Sequence, residues 1–153
     1  MKSFQTLIIL FMSVIFLTYC SDNSTGPDDD HADAVGMRIV SSGLTIVSYI
    51  RDGALTGKIE TEAGEMTGGM DIEFYDDEDD EWFTPEDDHY ELKIVLEDTT
   101  IAQYWQHEGE EGGFEFHIVG KQAGNTTAVF SILHDDHPDF VSRDIPVEVV
   151  QED

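Results

Sequence analysis

From Gly36 to Val150 apolar and polar residues alternate in short runs, and no stretch repeats with helical spacing. Tyr90-Glu91-Leu92-Lys93-Ile94-Val95-Leu96 places apolar residues at every second position, as a strand with one buried face requires. Phe114-Glu115-Phe116-His117-Ile118 and Ile145-Pro146-Val147-Glu148-Val149 repeat the pattern. It predicts strands over 36–42, 44–50, 53–60, 69–75, 90–97, 101–106, 113–119, 126–133 and 142–150. The breaks carry turn formers: Gly43, Asp52-Gly53, Gly68-Gly69, Gly112-Gly113 and Gly124-Asn125. Asp52-Gly53 suits a tight hairpin. Many short strands at this spacing imply an all-β sandwich or barrel. Leu92, Phe114, Phe116 and Phe130 are expected in its core, with Trp82 and Trp105 closing the ends. The acidic segment 76–89 reads as a mobile loop.

The C-terminal half adds a more specific likeness. Thr100-Ile101-Ala102-Gln103-Tyr104-Trp105 is followed by Phe116-His117-Ile118-Val119-Gly120-Lys121-Gln122-Ala123-Gly124-Asn125-Thr126-Thr127-Ala128-Val129-Phe130. Across roughly residues 69–133 this resembles a bacterial immunoglobulin-like domain of the group 2 type. There an Ile-Ala pair opens one strand and a Gly-Lys-x-x-Gly-x-Thr-Thr turn leads into another. The resemblance implies an Ig-like antiparallel β-sandwich spanning 35–153. Such folds serve adhesion, spacing and carbohydrate binding alike, so the likeness leaves function open.

The N-terminus alters the setting of this domain. After Met1-Lys2-Ser3 an apolar run from Leu7 to Tyr19 is too short to span a bilayer but fits the core of a secretory signal. It ends at Cys20, the single cysteine, which rules out an intrachain disulfide. Leu17-Thr18-Tyr19-Cys20 resembles the lipobox of bacterial lipoproteins, with Tyr19 where a small residue is usual. That resemblance implies a signal peptide over 1–19 and an acylated Cys20 anchoring the chain to the cell envelope. By resemblance to lipoprotein sorting rules, Ser21 rather than Asp after the cysteine implies the outer membrane. Residues 20–34 hold Ser, Thr, Asn, Gly, Pro and five aspartates with no Lys or Arg, and read as a flexible tether. Without the signal, six basic residues face 34 acidic ones, a net charge of −28. Nucleic acid is thereby excluded as a partner, because phosphate would be repelled. Such acidity fits solubility in a salty habitat or attraction of cations.

The histidines supply the candidate chemistry. If successive strands run antiparallel, loops alternate between two poles, and His31, His89, His107, His134 and His137 fall at one of them. The acidic run Asp76 to Glu81 lies at the same pole, whereas His117 sits inside a strand. Imidazole with carboxylate suits a transition metal such as zinc or copper, and His134-Asp135-Asp136-His137-Pro138-Asp139 offers two imidazoles and a carboxylate in one tight loop. The expected ligands are therefore His134, His137 and Asp139, with His31, His107 and His89. Calcium is the weaker competitor: residues 76–88 are rich in oxygen ligands but lack an Asp-x-Asp-x-Asp-Gly loop. Met66 and Met70, flanking a Thr-Gly-Gly turn, read as turn and core residues. Nothing points to an enzyme: His107-Glu108 is not followed by a histidine at 111, and no Gly-x-Ser-x-Gly elbow occurs. Two functions remain. One is a metal-capturing binding protein serving a metal-transport partner; the other is a structural or adhesive surface module with a protein or glycan partner.

Overall fold

The computed structural model describes residues 31–151, and every regular element in it is a strand. The signal peptide, Cys20 and most of the tether lie outside the described residues. In chain order the strands are β1 (Gly36–Ser41), β2 (Leu44–Ile50), β3 (Thr56–Gly57) and β4 (Ile59–Glu62). Then come β5 (Met70–Asp76), β6 (Glu81–Phe83), β7 (Tyr90–Leu96) and β8 (Ala102–Trp105). The last four are β9 (Glu115–Gly120), β10 (Gly124–His134), β11 (His137–Val141) and β12 (Ile145–Val150).

They form two sheets. One runs β3-β2-β1-β5-β9-β8, with β6 paired beside β5. The other runs β11-β10-β12-β4, with β7 on the opposite edge of β10. All pairings are antiparallel except β12 with β4. β5-β9-β8 facing β7-β10-β12 is the B-E-D and C-F-G arrangement of an immunoglobulin-type sandwich. β1, β2 and β3 extend the first sheet beyond that core.

Period-two alternation builds the interior. Phe74, Phe116 and Phe130 are fully buried, with Ile39, Ile72, Ile118 and Ile132 around them. Leu92 joins this core as predicted, while Phe114 is only partly buried, edge-on to Phe74 at 5.9 Å. The tryptophans do not close its ends. Trp82 lies on an outer face beneath the Arg38 guanidinium, 4.6 Å from the ring centre, and Trp105 lies on the outer face of β8.

Three predicted elements differ. The 53–60 run is not one strand: it pairs with β2 through β3, then crosses to the other sheet as β4. Gly57 makes the crossing, with φ of 81° and its α-carbon so close to Ile46 O that no β-carbon fits. Segment 76–89 contains a strand, because Glu81-Trp82-Phe83 folds back on Asp76-Tyr75-Phe74. The 134–141 loop is a hairpin arm, β11, in line with β12 along the same edge of β10.

Candidate functional site

The predicted pole forms. Val35 donates to Tyr75 O, Arg51 to Val35 O, Asp135 to His89 O and Leu92 to Gly112 O, so the five connections expected there are hydrogen-bonded neighbours. The β10–β11 hairpin turns on Asp135 and Asp136, both at positive φ (47° and 69°), the geometry of a primed two-residue turn. Below the turn the register slips: Ile132 faces Phe140 and Leu133 faces Pro138, leaving Asp139 as the bulged residue. A bulge re-aims a side chain. Here it turns the Asp139 carboxylate inward, where its side chain is only 4% exposed.

Two histidines meet that carboxylate. His31 Nδ1 lies 2.9 Å from Asp139 Oδ1, and the Ala32 N–H donates to Oδ2 at 3.0 Å. His134 Nδ1 stands 3.9 Å from Oδ2, its ring stacked on Tyr90 at 4.8 Å. Ligand atoms of His31, His134 and Asp139 all lie within 4.8 Å of one another, a two-nitrogen, one-oxygen set of the kind zinc and copper accept. His89 joins the rim, 6.3 Å from the His134 ring. Asp135, accepting from His89 Nδ1 at 3.2 Å, is the main reason the His89 pKa stands above its ordinary 6.5. The His89 backbone N–H donates to Asp87 and chiefly accounts for that carboxyl's lowered pKa.

The other two expected ligands are elsewhere. His137 opens β11 exposed and outside this ligand group. His107 turns away from the pole onto Trp105 (4.5 Å) and His117 (5.2 Å). With Glu115 it forms a separate group, His107, Glu115 and His117, which the loop count did not reveal because His117 lies within a strand. In the acidic loop the carboxylates have local work: Asp76 Oδ1 accepts from the Glu78 and Asp79 amides, Asp77 pairs with Arg51 and Asp80 accepts from the Tyr75 hydroxyl. Met70 is buried and Met66 is exposed.

A second feature lies along the side of the sandwich. Among the described residues β7 pairs only with β10 and β8 only with β9, leaving two sheet edges next to each other. Between them runs an open trough of about 990 Å³ whose lining includes Lys93, Val95, Gln103, Tyr104, Trp105 and Lys121. Val95 is 51%, Tyr104 45% and Trp105 37% exposed. Alternation hid this face: the sequence shows which residues point outward, but not that two edges would stand side by side.

No family model and no curated protein matches the chain. Among solved structures, domains 4 and 5 of the S-layer protein SbsC superpose with a TM-score of 0.42 at 15% identity, over 61% of this chain and 47% of that one. A structure of domains 4–9 of surface layer protein SbsC gives a TM-score of 0.45 at 12% identity, over 81% of this chain and 23% of that one. The chain spans less than half the length of either. At that level of likeness, activity and partners do not carry over.

Proposed function

We propose that this chain is an exported surface module, held to the cell envelope by acylated Cys20 and the 20–34 tether, and used as a structural or adhesive unit. The trough between β7 and β8 carries this reading. Two sheet edges here flank Tyr104, Trp105 and Val95 in the open, and exposed apolar groups rimmed by polar ones mark interaction sites. The mixture suits a glycan: aromatic faces pack against sugar C–H groups, while Gln103, Glu91, Lys93 and Lys121 offer partners for hydroxyls. The full chain should be retained by immobilised envelope polysaccharide. Replacing Tyr104 and Trp105 together by alanine should weaken retention about tenfold or more, roughly 1.4 kcal/mol. Equal retention of the variant, or none by the parent, defeats the reading. The anchor has its own check: incorporation of a fatty-acid analogue that disappears in Cys20→Ala.

A second reading is favoured by one observation, the nearly buried Asp139 carboxylate between His31 and His134. In it the pole takes up zinc or copper and passes it to a metal-transport partner. Calorimetry should then show about one ion per pole, lost when His31 and His134 are both replaced by alanine.

A further inference from the structure

We infer that His107, Glu115 and His117 form a transition-metal site of their own on the outer face of the β8–β9 pair, separate from the pole. Strand geometry assembles it. Successive side chains on β9 alternate faces, so Phe116 and Ile118 enter the core while Glu115 and His117 point outward together. Trp105 is the cross-strand partner of His117 and shares that face, and His107 follows two residues later. Ligand atoms of the three residues lie within 4.8 Å of one another.

His117 is the deciding residue. It is 7% exposed although it points away from the core, and the 66–67 segment runs alongside β9 next to it. Met66 bridges to Val119, the Thr67 N–H donates to Ile118 O, and Thr67 Oγ1 accepts from the Ile118 N–H. From the same segment the Thr67 carbonyl oxygen lies 2.9 Å from His117 Nδ1. A carbonyl only accepts, so Nδ1 carries the proton and Nε2 of the neutral ring presents its lone pair. Nε2 is buried and has no hydrogen-bond partner. Buried polar atoms are almost always satisfied, so one that is not needs a reason. A ring with one nitrogen fixed by a backbone carbonyl, and a ligand atom within 4.8 Å of those of exposed His107 and Glu115, is held as metal-ligating histidines are.

The surroundings fit an ion. A tetrahedral site with bonds near 2.1 Å holds its ligands about 3.4 Å apart. His117 is fixed, whereas exposed His107 and Glu115 can close that gap. A β-carbon at Gly69 would stand 2.6 Å from Glu115 Oε1, so the absence of a side chain there leaves the carboxylate its place. Trp105 meets both imidazoles edge-on, 4.5 Å from His107 and 5.2 Å from His117. Two imidazoles and a carboxylate select copper(II) or zinc, with a fourth position left for water or a partner's ligand.

Trp105 provides the readout. The full chain is prepared as Trp82→Phe, which leaves Trp105 as its single tryptophan, and titrated with copper(II) chloride. Fluorescence should fall to a plateau at one equivalent, and EDTA should strip the copper and restore it. His107→Ala and Glu115→Gln, both at exposed positions, should each weaken binding by about tenfold or more. Gly69→Ala should weaken it as well, by crowding the carboxylate. The quench should persist, with its plateau at one equivalent, when His31 and His134 are replaced by alanine, which removes the pole as a competitor for copper. A curve without a saturating phase, or one whose midpoint stays put in both His107→Ala and Glu115→Gln, overturns the inference. If the His31/His134 variant alone loses the quench, the copper sits at the pole. This site then fails while the pole reading stands.

Discussion

His117 and Asp139 mark the limit of what single residues disclose. Alternation in Phe114-Glu115-Phe116-His117 already puts Glu115 and His117 on one face, and the buried Phe116 and Ile118 agree with it. The hydrogen bond that fixes the His117 ring was illegible, because its partner, the Thr67 carbonyl, lies fifty positions earlier. Asp139 was legible as a ligand type but not as a buried one, since only the bulge opposite Leu133 aims it inward. His89 is the histidine whose neighbours favour its charged form. Its pKa is raised by Asp135, so the charged form is favoured in the folded state. The contact therefore contributes fully below about pH 6.5 and is lost as pH rises through the elevated folded value. An NMR titration of the His89 ring should give a midpoint above 6.5, and Asp135→Asn should lower it. A midpoint at or below 6.5 in the parent would mean the Asp135 hydrogen bond is not held in solution.

Elements were legible where a strand keeps one face inward along its length. β7, β9, β5 and the middle of β10 match the alternation within a residue or two. The reading failed where one run of chain serves two sheets. Residues 53–60 look like a single strand because both halves have strand-like composition, and only Gly57 marks the switch. β6 was missed because three residues in an acidic segment carry too little alternation to register. Gly57 should thus be far more demanding than Gly43, although both have positive φ, 81° and 78°. A β-carbon at Gly43 meets nothing within 4 Å, whereas one at Gly57 would collide with the Ile46 carbonyl oxygen. Gly43→Ala should cost about 1 kcal/mol, the usual penalty for a left-handed alanine. Gly57→Ala should cost about 3 kcal/mol or more, because backbone must move as well. Urea unfolding midpoints of the two variants decide this, and equal losses would show that β3 shifts without resistance.

At the scale of the whole molecule, the β class and the gathering of connections at one pole followed from counting strands. Charge acts at this scale too. Seven Lys and Arg stand against 34 Asp and Glu, a net charge of −27. The cations form visible pairs: Arg38 with Glu73, Arg51 with Asp77, and Lys58 with Glu60 and Glu148. These pairs are exposed or half-exposed, and such contacts are worth about 0–1 kcal/mol each. Repulsions among the remaining carboxylates are more numerous and reach across the surface at low ionic strength, where screening extends about 10 Å at 0.1 M. Salt weakens attraction and repulsion alike. Because repulsion outweighs the few ion pairs and opposes folding, raising sodium chloride should raise the melting temperature. A relief of about 1 kcal/mol corresponds to roughly 4–8 °C in a domain of about 100 residues. Most of the rise should be complete by a few tenths molar, because screening saturates, whereas a general salting effect would keep climbing. Thermal melts from low salt to 1 M provide the check. A melting temperature that falls with salt would mean that the few ion pairs, not the many unpaired carboxylates, set the stability of this sandwich.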